Sequence, residues 1–263
     1  MRNLIKAQNY QLKRDKATRY ILIGLLGSLV VIFLEYSRNN LLSELTGGDT
    51  AFTMGEPNCI LLGLLVTLLT CRIVGWDYTD KTINYELMAG HSRAAVFWSR
   101  VCVSLVWTIV GSAIFLFLPL LVFGGINGWG SNTNMGEILL RYGLSFLPLF
   151  RLLGECVLLT MLLRNCYMAM VIGYVLYEFG WVFLIMLDPL IDVKFTTQIS
   201  AMNVYRLLYM GNSEPKLIDG GKAWVYDTAL ESGLIIGTIC VSLMVGVACL
   251  GLGYLYFRKS DMN

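Results

Sequence analysis

The chain has 263 residues and a net charge of +2, and it is 56% hydrophobic but only 14% charged, where soluble domains run nearer half apolar and a quarter charged. Its basic residues form no continuous stripe with interleaved aromatics, which argues against a nucleic-acid partner, and a single histidine, His91, leaves little room for zinc chemistry or a catalytic triad. The apolar residues instead come in runs matching the roughly 20 helical residues that cross about 30 Å of hydrocarbon, which predicts an all-α membrane protein.

In chain order, residues 1–19 come first. Leu4, Ile5, Gln8 and Leu12 recur at helical spacing among Lys6, Lys13, Arg14 and Lys16. Over residues 3–18 this reads as an amphipathic interface helix lying on the inner membrane surface. The other reading is a basic tail that only sets orientation. Six membrane segments follow within residues 20–257: Tyr20–Tyr36, Asn58–Val74, Ala94–Phe123, Leu144–Leu163, Tyr167–Leu187 and Ser232–Phe257. They lack the period-two alternation of barrel strands, so they are read as helices. No small-residue cleavage motif follows the first run, which is therefore read as a retained membrane helix and not a signal peptide.

Between the second and third segments lies Trp76–Arg93. Trp76, Ile83 and Leu87 fall at i, i+7 and i+11, a helical stripe. Asp77 and Asp80 suit a helix N-terminus, Gly90 can end the helix, and Ser92 can cap the next one. A short cytoplasmic helix leading into segment three is expected. The outer loop Ser37–Pro57 is acidic and contains glycine. The longest outer connection, Asp188–Glu231, carries Ile199, Met202, Leu207, Leu208 and Tyr209, enough apolar surface that some helix is expected there. Residues 258–263 form a short tail. With six crossings the termini share a side, and thirteen of the 20 lysines and arginines fall on it against six opposite. By the positive-inside rule both termini are cytoplasmic.

Intramembrane charge marks candidate functional residues. Arg151 and Glu155 are four apart on segment four and can pair, and Glu178 lies near the middle of segment five, with Arg151 a plausible partner. Two readings are open: a polar patch lining a substrate path or subunit interface, or an ion pair that sets how segments four and five pack. Glu35 is placed at the outer membrane surface. The seven cysteines form no C-x-x-C pair and are read as buried small hydrophobes. Gly24/Gly27 and Gly246/Gly251/Gly253 are candidates for close helix packing. Enzyme motifs are absent: there is no G-x-x-x-x-G-K-[ST] loop and no H-E-x-x-H, and Gly220-Gly221-Lys222 lacks the P-loop spacing. The chain is read as non-catalytic, with no catalytic residue and no metal site.

The stretch WDYTDKTINYELMAGHSRAAVFWSR, Trp76–Arg100, resembles the region after the second membrane helix in permease subunits of ABC transporters of the ABC-2 type. The matching positions are Asp80, Thr82, Ile83, Gly90, Ser92, Arg93, Phe97, Ser99 and Arg100. Lys81 departs from the pattern, since the family usually has glycine there. The amphipathic N-terminus, six helices, long outer connection and closing Tyr-x-Phe-Arg-Lys fit in outline, and the lantibiotic-immunity and peptide-export branch looks closest. The resemblance implies one membrane domain, residues 1–263, in a bacterial cell membrane. It would pair with a second permease copy or a paralogue, contact membrane lipids, and bind separate cytoplasmic ATPase subunits that carry ATP and Mg. The chain itself would bind no cofactor. The helix Trp76–Gly90 would be the coupling helix, with Trp76, Asp77, Asp80, Thr82, Ile83, Leu87, Gly90, Ser92 and Arg93 as ATPase-coupling residues. Arg93 and Arg100 would face acidic groups on the ATPase or lipid phosphates, or simply mark the inner side. Export of an amphipathic or hydrophobic peptide, antibiotic or lipid-like molecule is the function so implied. The competing reading is a non-transporting immunity, assembly or sensory subunit with the same helices.

Overall fold

The computed structural model describes residues 1–38, 46–79, 83–130, 134–191, 202–208, 214–218, 221–225 and 230–259. Apart from one two-stranded ribbon, the described residues are helical. Five helices are long and apolar enough to cross a membrane: α2 (Lys16–Arg38), α4 (Gly55–Thr79), α6 (Arg93–Asn127), α7 (Met135–Leu163) and α10 (Ser232–Lys259). A further helix, α8 (Cys166–Ile191), begins with the apolar stretch Cys166–Gly180.

Chain entry is through α1 (Arg2–Arg14), whose buried stripe is Leu4, Gln8 and Leu12. The helix stops four residues short of the expected end. Asp15 turns to extended backbone and its carboxylate accepts from the Ala17 and Thr18 N–H groups at 3.3 and 3.0 Å, so it caps the start of α2. The apolar stripe of α1 packs against α6, and Asn9 accepts from Trp107 Nε1 at 3.0 Å. Protein, not lipid, therefore covers this face.

After α2, the short helix α3 (Gly47–Thr53) forms within the acidic, glycine-containing loop expected over Ser37–Pro57. Thr46 and Asp49 form a reciprocal capping box, a local device that starts a helix without tertiary help. The N–H groups of Gly47 and Gly48 donate to the carbonyls of Gly128 and Trp129 beyond the end of α6.

The centre of the bundle is α4. Leu62, Leu65, Val66 and Leu69 have no solvent exposure, and α6, α7 and α8 surround it. Tyr177 of α8 lies over Gly63, where a Cβ would come within 2.2 Å of its ring, and donates to the Cys59 carbonyl. Helix α5 (Ile83–Met88) precedes α6, the two joined by a turn at Ala89–Gly90. At 35 residues, α6 extends about 50 Å, longer than the hydrocarbon core. A turn at Arg164, with left-handed φ of 53°, and Asn165 joins α7 to α8. The Asn165 side chain accepts from the N–H groups of Tyr167 and Met168.

The long connection between α8 and α10 contains α9 (Met202–Leu208) and an antiparallel ribbon of β1 (Glu214–Ile218) and β2 (Gly221–Val225). Leu207 and Leu208 of α9 are buried, as the apolar content of this segment foretold. Arg141 of α7 donates to the Arg206 and Leu207 carbonyls, satisfying the open end of α9. Finally α10 lies along α7, with Gly154 and Gly246 at the crossing. A Cβ on Gly154 would stand 2.7 Å from the Gly246 carbonyl oxygen. Gly24, Gly27 and Gly251 meet nothing within 4 Å. Close packing is therefore the role of Gly246 and, more loosely, of Gly253, where a Cβ would stand 3.6 Å from Leu158 Cα of α7; the other three do not share it.

Candidate functional site

The residues that resemble the permease motif gather at one end of the bundle, where α1, α4, α5 and α6 meet. Among the described residues, Trp76 and Asp77 lie in the last turn of α4, which runs to Thr79, and the next helix, α5, runs from Ile83, so the expected helix Trp76–Gly90 is divided between α4 and α5 with residues 80–82 outside the described residues. Asp77 thus stands at a helix C-terminus, and what offsets the adverse dipole is a guanidinium. Arg100, on the third turn of α6, is 1% exposed and directs Nη2 at Asp77 Oδ2 (2.7 Å) and Glu86 Oε2 (2.8 Å). Glu86 uses its other oxygen to accept from Gln8 Nε2 at 2.9 Å. One buried cation and two carboxylates so tie four separate elements.

On α5, Ile83 is 4% exposed and Leu87 packs on the core, while Tyr85 and Met88 on the opposite face are 68% and 73% exposed. Gly90 takes φ of +87° as its N–H donates to Leu87, and His91 N–H donates to Glu86. This is the helix stop expected of that glycine. Ser92 caps α6, accepting from Ala95 N–H at 3.3 Å. Arg93 donates to the Arg258 carbonyl at 2.7 Å and so closes the C-terminal end of α10. Asp80 and Thr82 lie outside the described residues.

A second clamp flanks the first. Arg72 holds Asp15 through Nε and Nη2, both at 3.0 Å. Its Cζ sits 3.1 Å from the centre of the Trp76 ring, and Nη1 reaches the Tyr167 hydroxyl at 3.4 Å. Burial pulls the Asp15 carboxyl upward, but the hydrogen bonds from Arg72 and Thr18 prevail and hold it down at about 2. Between α1 and α4 lies a cleft of about 280 Å³ lined by Gln8, Leu12, Asp15, Arg72, Trp76 and Asp77.

The intramembrane charges separate into two places. Arg151 and Glu155 pair as expected, Nε to Oε1 at 3.3 Å. Glu178 does not join them. Its described hydrogen bonds come from Tyr205 on α9, at 3.5 Å, and from Tyr174 one turn earlier. Helix α9 supplies the partner that Arg151 is expected to be.

Sequence reasoning missed Asp15, Arg72 and Glu86, and placed Gln8 in the stripe of α1 without its partner. Each pairing joins elements far apart in the chain, 57 residues for Arg72–Asp15 and 78 for Gln8–Glu86, and no local spacing announces it. The signals available were Arg72 itself, an arginine within an apolar run, and Asp15, a residue type that favours helix starts. Among the described residues no group of three or more His, Cys, Asp or Glu side chains is placed to hold a metal ion. Compared with known proteins, the chain matches no family model, and no curated protein matches it.

Proposed function

We propose that the chain is the membrane-spanning permease subunit of an ABC-2 type transporter, in a bacterial cell membrane, exporting an amphipathic or hydrophobic molecule with energy from a separate ATPase. In this reading α8 is a sixth crossing, both termini are cytoplasmic, and a second copy or a paralogue completes the transporter. The Arg100 node carries the proposal. A helix that docks on a nucleotide-driven partner must pass its displacement on, and α5 is held to the ends of α4 and α6 by one buried guanidinium. Rigid segments joined in this way move together. The outward face of α5, with Tyr85 and Met88, supplies the apolar contact that a partner groove would cover.

The test is purification in mild detergent. A subunit with ATPase activity is expected to accompany the wild-type chain. The double variant Tyr85→Glu/Met88→Glu is expected to lose that subunit and transport while inserting normally. A variant that keeps both would remove the docking role of α5. A wild-type chain that brings down no ATPase would favour the non-transporting immunity or sensory subunit.

A further inference from the structure

The Arg151–Glu155 pair is unequal. Arg151 is enclosed, its side chain 2% exposed, whereas Glu155 is 33% exposed. Glu155 opens into a lateral groove of about 200 Å³, bounded by Leu152 and Leu159 of α7, by Gly173 and Leu176 of α8 and by Cys249 of α10. It is the groove's charged group; the other lining residues are leucine, cysteine and glycine. Glu155 lies eight residues before the last residue of α7, about 12 Å along the axis. That depth falls among lipid tails, below the headgroups.

A carboxylate that opens onto hydrocarbon is costly. Acyl chains carry no hydrogen-bond donor, so ordinary lipid filling the groove leaves the open oxygen unsatisfied. Arg151 approaches from behind, within the protein, and contributes one contact at 3.3 Å to Oε1. What completes the site is a donor presented from the membrane on an apolar body. The groove is smaller than the about 300–1,000 Å³ of sites that enclose a drug-sized ligand. It therefore takes the polar end and first carbons of a longer molecule, whose remainder lies along exposed apolar side chains of α8 such as Val171, Val175 and Leu176.

We propose that this groove binds a membrane-dissolved amphiphile that brings a protonated amine to the Glu155 carboxylate. Naming that amphiphile as the exported cargo rests on the transporter reading above. The binding itself does not, because it needs only this chain in a lipid-like phase.

The experiment uses the full chain, purified in mild detergent at neutral pH, with thermal unfolding followed by tryptophan fluorescence. The probes are dodecylamine, dodecanol and dodecyl sulfate. Dodecylamine is expected to raise Tm saturably, with the alcohol and the sulfate producing no saturable rise. Glu155→Gln should weaken the dodecylamine response at least tenfold. Leu176→Trp, which fills the groove and leaves the carboxylate in place, should weaken it comparably. The second variant keeps the test decisive if the first folds poorly. Equal responses to the three probes, no response from the wild type, or wild-type binding by Leu176→Trp would overturn the proposal. Failure here alongside co-purification of an ATPase would leave the transporter reading intact; amine binding without any ATPase would do the reverse.

Discussion

Arg100 shows how much a single side chain decides at the end of this bundle. Its guanidinium is the cation shared by Asp77 and Glu86, so replacing it with leucine leaves two carboxylates facing each other in a buried place. Loss of one partner of a buried ion pair costs about 3–5 kcal/mol, and Arg100→Leu is expected to lower stability by that order in denaturant titration. Arg100→Lys keeps the charge but cannot keep the fork geometry, so it should fall between. Asp15 gives a pH signature. Its folded value of about 2 lies below the ordinary 3.8, so the clamp's contribution is complete above about pH 3.8 and fades as pH falls toward 2. Asp15→Asn is expected to melt below the wild type at neutral pH, and the gap should close across that acid window. A gap that stays constant to pH 2 would mean the Arg72 contact carries no net stabilisation.

At the scale of elements, the glycines divide by what they touch. Gly154 meets the backbone of α10, and an added methyl would stand 2.7 Å from a carbonyl oxygen that cannot swing away. Gly154→Ala should therefore push α7 and α10 apart and cost about 1–3 kcal/mol, read as a drop in Tm. Gly24→Ala on α2 meets nothing within 4 Å and should stay within about 0.5 kcal/mol of the wild type. Both positions look alike in the sequence, a glycine in an apolar run, because the difference is made by another helix. The same reason explains why α1 was placed on lipid. Leu4, Gln8 and Leu12 announce a buried face, but nothing in the stripe says that α6 buries it. The break at Asp15, by contrast, is local: aspartate is a favoured N-cap residue whose carboxylate takes the first free N–H groups of the helix, and it could have been read there.

The whole molecule follows from lengths and from the neutralisation of charge. Five helices are long and apolar enough to cross a membrane, and if α8 is a sixth, α1 and the end of α10 lie on the same side. Arg93 supports that arrangement, since it joins the start of α6 to the Arg258 carbonyl at the end of α10. A reporter fused after Lys259 and another at the N-terminus are expected to be reached only from the cytoplasm. Opposite exposure of the two ends would remove one crossing, and with it the proposed orientation of α5.

The sequence alone was enough for the membrane class, for the approximate positions of five of the six expected spans and for the helix stops and starts at Gly90 and Ser92. These depend on how many apolar residues stand in a row and on caps that act within one turn. It was also enough for the Arg151–Glu155 pair, four residues apart on one helix face. Tertiary structure decided that Trp76 belongs to α4, that Arg100 is a buried node, that Tyr205 serves Glu178, and that Glu155 opens into a groove beside α8. A buried charge takes whatever partner the packing of distant segments brings within about 3 Å, and separation along the chain carries no trace of that choice.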